Sequence, residues 1–207
     1  MTAPVDFSRP PGSAPSAESR PSIGSEGVNL NGLATRDDEP VSQISVRAAR
    51  TTDVPAIRAL VEPLAARRVL VSKDAVAYYA ALQQFVVAEN DEGVVIGCGA
   101  LQVLWDDLAE VRTLAVSSAQ LGRGVGGRLL ERLLDDGRRL GVHRVFCLTF
   151  EVSFFTRHGF EMIEGTPVEP SVYAELLRSY DEGVAEFLDL DRVKPNTLGN
   201  TRMIRRL

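Results

Sequence analysis

Residues 108–134 read LAEVRTLAVSSAQLGRGVGGRLLERLL, and the fold turns on this stretch. The first nine residues are rich in β-favouring side chains and read as a strand. A glycine cluster follows: Leu121, Gly122, Arg123, Gly124, Val125, Gly126 and Gly127. Val125, Leu129, Leu130, Leu133 and Leu134 then recur at the spacing of one helix face, and Gly141 is placed to cap that helix. A helix N-terminus presents unpaired N–H groups and partial positive charge, and glycines let an anion approach the backbone. The cluster therefore predicts a diphosphate-bearing ligand, with a tight turn that binds nothing as the alternative. Gly122, Gly124 and Gly127 also satisfy G-x-G-x-x-G. In a dinucleotide fold those glycines follow the strand directly, whereas residues 117–120 intervene here and too little sequence remains for a doubly wound sheet. No Gly-Lys-Ser/Thr follows, which excludes a P-loop.

Working outward, residues 44–47 alternate as a first strand. Thr51, Thr52 and Asp53 offer N-cap chemistry, with Pro55 in the first turn of a helix carrying Ile57, Leu60, Val61 and Leu64. Residues 73–82 fit a second, short helix. Residues 84–88 and 94–104 form a hairpin about the turn residues 90–93. Beyond the glycine helix lie an apolar strand over 142–150, a short helix over 152–158 and a further strand from Phe160. The order β-α-α-β-β-β-α-β-α-β is an α/β pattern with an antiparallel start and one parallel crossover.

Residues 1–40 hold six of the eleven prolines and are rich in Ser, Gly and acids, which predicts a disordered tail ahead of one domain over 41–207. A net charge of −5 gives no electrostatic footprint for nucleic acid. No apolar run approaches the roughly 18–20 residues of a membrane span, and no secretory signal opens the chain. The expected compartment is the cytoplasm. Cys98 and Cys147 lie in apolar runs and read as buried, reduced thiols rather than a disulfide or a metal site. Cys147 has no neighbouring base to make it a nucleophile. His143 and His158 lack metal-ligand spacing.

Residues 108–134 resemble the acetyl-CoA motif of GNAT acetyltransferases, Q/R-x-x-G-x-G/A, with the glycines on Gly124 and Gly126 and Leu121 in place of Gln or Arg. Residues 154–160 (FFTRHGF) resemble the F-Y-x-x-x-G-F of the helix beside the thioester, with Phe155 where many members carry a tyrosine acid. The resemblance implies the GNAT fold: a mixed central sheet with an antiparallel N-terminal hairpin, a splayed parallel strand pair and flanking helices. It implies acetyl-CoA as co-substrate, with pantetheine on the backbone of Leu114, Ala115 and Val116. The pyrophosphate would then rest on the amides of Leu121, Gly122, Arg123, Gly124, Val125, Gly126 and Gly127. Phe154 and Phe155 would line the groove or simply pack in the core.

The segments RAARTTDVPAIRALVEPLAARRVLV, GCGAL and RVFCLTF, with the C-terminal VKPNTLGNTRMIRRL, resemble the acetyltransferase domain of bacterial N-acetylglutamate synthases in their short, stand-alone form. That implies acetyl transfer to the α-amine of L-glutamate, feeding arginine biosynthesis, without the amino-acid-kinase-like domain through which arginine regulates the longer forms. L-glutamine or another small amine, and a binding module without turnover, are the competing expectations. Amine attack needs a base, donors for the thioester oxygen and positive charge for carboxylates. Glu110 is the candidate base and Glu151 a weaker one. The N–H of Ala115 or Val116 would polarise the thioester. Lys73, Arg112, Asn200, Thr201 and Arg202 are the candidates for the substrate carboxylates, with Arg67 and Arg68 weaker. The partner expected is a small-molecule amino acid, and the C-terminal strand could pair two copies as a homodimer.

Overall fold

The computed structural model describes residues 44–71, 73–166, 168–181, 184, 185, 188 and 199–207. The expected tail, residues 1–40, lies outside the described residues, as does much of the C-terminal segment VKPNTLGN. Seven strands form one sheet: β1 (Ser45–Ala48), β2 (Phe85–Glu89), β3 (Val95–Val103), β4 (Leu108–Val116), β5 (Arg144–Thr149), β6 (Glu161–Met162) and β7 (Thr201–Arg206), in the spatial order β1-β2-β3-β4-β5-β7-β6. The helices are α1 (Val54–Ala66), α2 (Ala75–Ala80), α3 (Val125–Arg139), α4 (Val152–Arg157) and α5 (Pro170–Leu176). β1 to β4 run antiparallel, β4 and β5 are parallel, and β7 returns antiparallel to β5. Among the described residues no helix is long and apolar enough to cross a membrane.

Each element follows from its side-chain period. On α3, Val125, Leu129, Leu130, Leu133 and Leu134 are buried on one stripe and pack on Ala109 and Val111 of β4, Val145 and Cys147 of β5 and Met203 of β7. On the other sheet face, Val54, Ile57 and Val61 of α1 cover Phe85, Val87, Cys98, Ala100 and Ala115. Further along that face, Leu176 of α5 with Val184 and Leu188 covers Leu108 and Phe146. The sheet is thus a middle layer, and its α1 face carries two separate apolar patches. In the β2–β3 turn, Asn90 Oδ1 accepts from the N–H groups of Glu92 (3.2 Å) and Val94 (2.8 Å), the local bond for which asparagine is chosen there.

Three sequence expectations are revised. Asp53 does not cap α1 through its side chain; its carboxylate is taken by Arg47 (2.6 and 3.0 Å) and by the Arg50 N–H (2.7 Å), and Arg47 also pairs with Glu89. A bidentate, charge-assisted pair outcompetes a single capping bond. Helix α5 was not anticipated, since its seven residues are too short to show a period. β7, expected as a C-terminal strand open to a second copy, instead lies inside the sheet between β5 and β6.

Gly97 of β3 lies where α3 begins: a Cβ there would stand 2.9 Å from Leu129 Cδ1, 3.0 Å from Val125 Cγ1 and 3.2 Å from the Ala115 carbonyl oxygen. Overpacking of this kind costs about 1–3 kcal/mol. Gly97→Ala is therefore expected to lower the unfolding free energy from urea titration by that amount, and an unchanged midpoint would show that α3 does not press on this strand.

Candidate active site

The parallel pairing of β4 with β5 lasts only three residues: Leu108 with Arg144, Ala109 with Val145 and Glu110 with Phe146. β5 then follows β7 for its full length, while β4 stays with β3 to Val116. The two strands part, and among the described residues no strand covers the β5-facing edge of β4 beyond Glu110. A β-bulge sits at this point. Cys98 opposes Ala115 and Ala100 opposes Arg112, so Thr113 and Leu114 together face the single residue Gly99. Thr113 adopts a left-handed φ of 55°, and its carbonyl accepts a weak bond from the Cys98 thiol at 3.7 Å. The extra residue reverses the alternation. Glu110 and Arg112 face the α1 side, whereas Leu114 and Val116 turn into the α3 core and Ala115 into the α1 patch.

Where β4 ends, the chain makes a short 3-10 turn (Ser118–Gln120) and enters the glycine cluster. Gly124 holds φ at 80° as the residue ahead of α3 and supplies no side-chain cap. The first helical bond runs from the Arg128 N–H to the Gly124 carbonyl at 3.1 Å, so the amides of Gly124, Val125, Gly126 and Gly127 have no partner within the helix. No acidic residue occupies that turn. A Cβ on Gly126 would come 3.4 Å from the Phe154 ring, and one on Gly127 3.1 Å from His158 Nε2. The cradle is therefore open to an anion and walled by α4, which fits a pyrophosphate. Leu121 is exposed, and Arg123 Nη1 donates to Gln120 Oε1 at 3.2 Å. Phe154 stands beside the cradle. Phe155 lies edge-on to both Phe154 and Phe160 at 5.1 Å and is buried in the core.

Between the two apolar patches of the α1 face lies a cavity of about 550 Å³. Its floor is Gln102, Glu110, Arg112, Thr113 and Leu148; its walls include Leu70, Val71, Lys73, Asp74 and Ala77 on one side and Tyr180, Asp181 and Asn200 on the other. Lys73, Glu110, Arg112 and Asn200 are thus brought together. Arg202 pairs across β5 with Leu148, a lining residue, so it stands on the cavity's face of the sheet. Thr201 alternates onto the face of Met203, away from the cavity. Arg67 and Arg68 are exposed outside the lining, and Glu151 is an exposed residue at the start of α4.

Glu110 is 4% exposed, and its Oε2 accepts from Arg112 Nη2 at 2.6 Å and Nε at 3.1 Å. The other edge of the same guanidinium holds Asp181, with Nη1 and Nη2 each 3.0 Å from a carboxylate oxygen. Burial alone would raise the Asp181 carboxyl, but the bonds and charge of Arg112, then the Val184 N–H and Lys73, outweigh it and hold it at about 2. Burial pushes the Cys98 thiol up to about 12 and raises that of Cys147, so both free thiols are poor nucleophiles.

The sequence model of the acetyltransferase (GNAT) family matches residues 55–160, which span α1, the split strands, the cradle and α4. The chain belongs to the GNAT acetyltransferase family. It is 56% identical over 171 residues to an amino-acid acetyltransferase of Mycobacterium tuberculosis, covering 82% of this chain and 95% of that protein. The crystal structure of Rv2747 from M. tuberculosis, which contains CoA, superposes with a TM-score of 0.76 at 56% identity, over 79% of this chain and 99% of that one. The N-acetylglutamate synthase of Neisseria gonorrhoeae, solved with coenzyme A and N-acetyl-glutamate, matches with a TM-score of 0.64 at 26% identity, over 80% of this chain. This acetyltransferase spans only 35% of that longer chain.

Asp181, Gln102 and Thr113 were missed in the sequence. Asp181 is 69 residues from Arg112 and follows no motif, and a bulge at a threonine leaves no compositional mark. For Asp181 the folded value lies below the ordinary 3.8. Its contribution to stability is therefore present above that pH and lost as pH falls toward about 2. Urea unfolding at stepped acid pH should show Asp181→Asn losing less stability per pH step below about 4 than the wild type. Parallel curves would show that the Arg112 contact contributes nothing.

Proposed function

We propose that this acetyltransferase moves the acetyl group of acetyl-CoA onto the α-amine of L-glutamate. The observation that carries the reading is the placement of Lys73, Glu110, Arg112 and Asn200 around one cavity beside the point where β4 and β5 part. A molecule with a diphosphate at one end and a thioester at the other would run from the amides of Gly124 to Gly127 along Leu114, Ala115 and Val116 into that cavity. The likeness to the M. tuberculosis and N. gonorrhoeae proteins supports both the co-substrate and the amino-acid acceptor.

In this reading the neutral amine nitrogen attacks the thioester carbonyl carbon. The backbone N–H of Ala115 or Val116 stabilises the charge developing on the carbonyl oxygen. The C–S bond breaks, CoA leaves as its thiolate, and the amine proton passes through water to Glu110. Phe155 offers no acid at the position where many family members carry a tyrosine. Lys73 and Arg202 would receive the substrate carboxylates, with Asn200 as a neutral donor or acceptor. Arg112, engaged by Glu110 and Asp181, holds the base.

One observation favours L-glutamine as a second acceptor. The cavity lining carries Asp74, Glu110 and Asp181 against Lys73 and Arg112, with Arg202 on the same face, a balance that suits a neutral side-chain amide beside one α-carboxylate. The homodimer expected from the sequence is kept as a proposal. β6 is only two residues long and pairs β7 at Met203 and Ile204, and Arg206 beyond that pairing is exposed, where a second copy would add.

Thiol release by the purified protein from acetyl-CoA should require L-glutamate or L-glutamine, and their ratio of kcat/KM decides between them. Release confined to unrelated amines would remove the substrate assignment. Glu110→Gln should lower kcat by about 10²–10⁴ with the KM for acetyl-CoA little changed; full activity would move the base elsewhere. Lys73→Met should raise the amino-acid KM about tenfold or more, as expected on losing a charged hydrogen bond, and an unchanged KM would exclude it from carboxylate binding.

A further inference from the structure

Arg112 carries one positive charge and serves two acids on adjacent edges that share Nη2. Nε and Nη2 hold Glu110, while Nη1 and Nη2 hold Asp181. Asp181 is itself fixed: its N–H donates to Ser179 Oγ at 3.1 Å, and its Oδ1 accepts from the Val184 N–H at 3.1 Å. The guanidinium cannot rotate toward Glu110 without breaking the Asp181 fork, nor toward Asp181 without leaving Glu110. A planar donor gripped on two edges is oriented in a way that a single salt bridge does not achieve.

We infer that Asp181 is a positioning residue for acetyl transfer, acting on Glu110 through Arg112. Its carboxylate sets the plane in which the guanidinium meets Glu110, and its negative charge offsets part of the pull of Arg112 on the base. The inference rests on the reading of Glu110 as proton acceptor. Among the described residues, the other charged and titratable groups around the pair are Lys73 and Asp74 ahead of α2, Tyr180 beside Asp181, Cys147 of β5 and Arg202 of β7. Among the described residues, Asp181 alone grips the guanidinium across Nη1 and Nη2, the edge next to the one that holds Glu110.

Removing that charge with an isosteric side chain leaves Arg112 wholly to Glu110. A base drawn more strongly by a cation gives up its proton at lower pH and accepts one less readily. For Asp181→Asn we expect the acidic limb of the kcat profile to move down by about one pH unit, the plateau kcat to fall several-fold, and the KM for acetyl-CoA to stay put. In the Glu110→Gln background the same substitution should have no further effect on kcat. Asp181→Glu keeps the charge but lengthens the arm, so its limb should remain at the wild-type pH while kcat falls; it carries the test alone if Asp181→Asn does not fold.

An unmoved limb in Asp181→Asn overturns the inference, as does an equal loss of rate with and without Glu110. A lower amino-acid KM with an unmoved limb would show instead that Asp181 competes with substrate for Arg112. Full activity of Glu110→Gln would be a failure of the base reading, and the two failures are told apart by that variant.

Discussion

The structure depends on the separation of two parallel strands. β4 and β5 share three residue pairs and then diverge, because each is held more extensively by its other neighbour, β3 on one side and β7 on the other. Exposed strand edges are normally paired or covered. An edge left open inside a sheet invites an extended ligand that can supply the missing backbone partners, as a pantetheine amide chain can. The separation also lets α3 begin beside the end of β4, so that its unpaired amides point along the same groove.

The bulge at Thr113 sorts the side chains of β4 between the two faces of the sheet. Without the extra residue, Glu110, Arg112, Leu114 and Val116 would all face the same side of the sheet. With it, the charged pair faces the cavity and the two apolar residues enter the α3 core. The base candidate and the proposed thioester backbone are then neighbours on one strand, with different faces assigned to charge and to packing. The Arg112 fork completes the arrangement by tying β4 to the chain after α5, so the cavity wall and its floor are fixed together.

What was legible in the sequence was local. α3 and its glycine turn showed in a 3.6-residue period and a run of small residues, and the β2–β3 hairpin in a β-rich run followed by the turn residues 90–93. The resemblance at Gly124, Gly126 and residues 154–160 added the family, which the match over residues 55–160 bears out. What could not be read was non-local. β7 between β5 and β6 follows from a pairing choice among strands of similar composition. Asp181 gains its meaning from an arginine far back in the chain, and Asp53 looked like a helix cap because capping chemistry does not show that the strand end six residues earlier turns Arg47 onto it. Of the proposed carboxylate contacts, Lys73 and Asn200 line the cavity, whereas Thr201 is turned away by strand alternation.

The most direct test of the account is a crystal structure with CoA and the acetylated amino acid bound together. The account predicts the pyrophosphate on the amides of Gly124, Val125, Gly126 and Gly127, the pantetheine along Leu114, Ala115 and Val116, and the acetylated nitrogen in the cavity within one water of Glu110. An amino acid bound outside that cavity, or a nitrogen with no water path to Glu110, would contradict it.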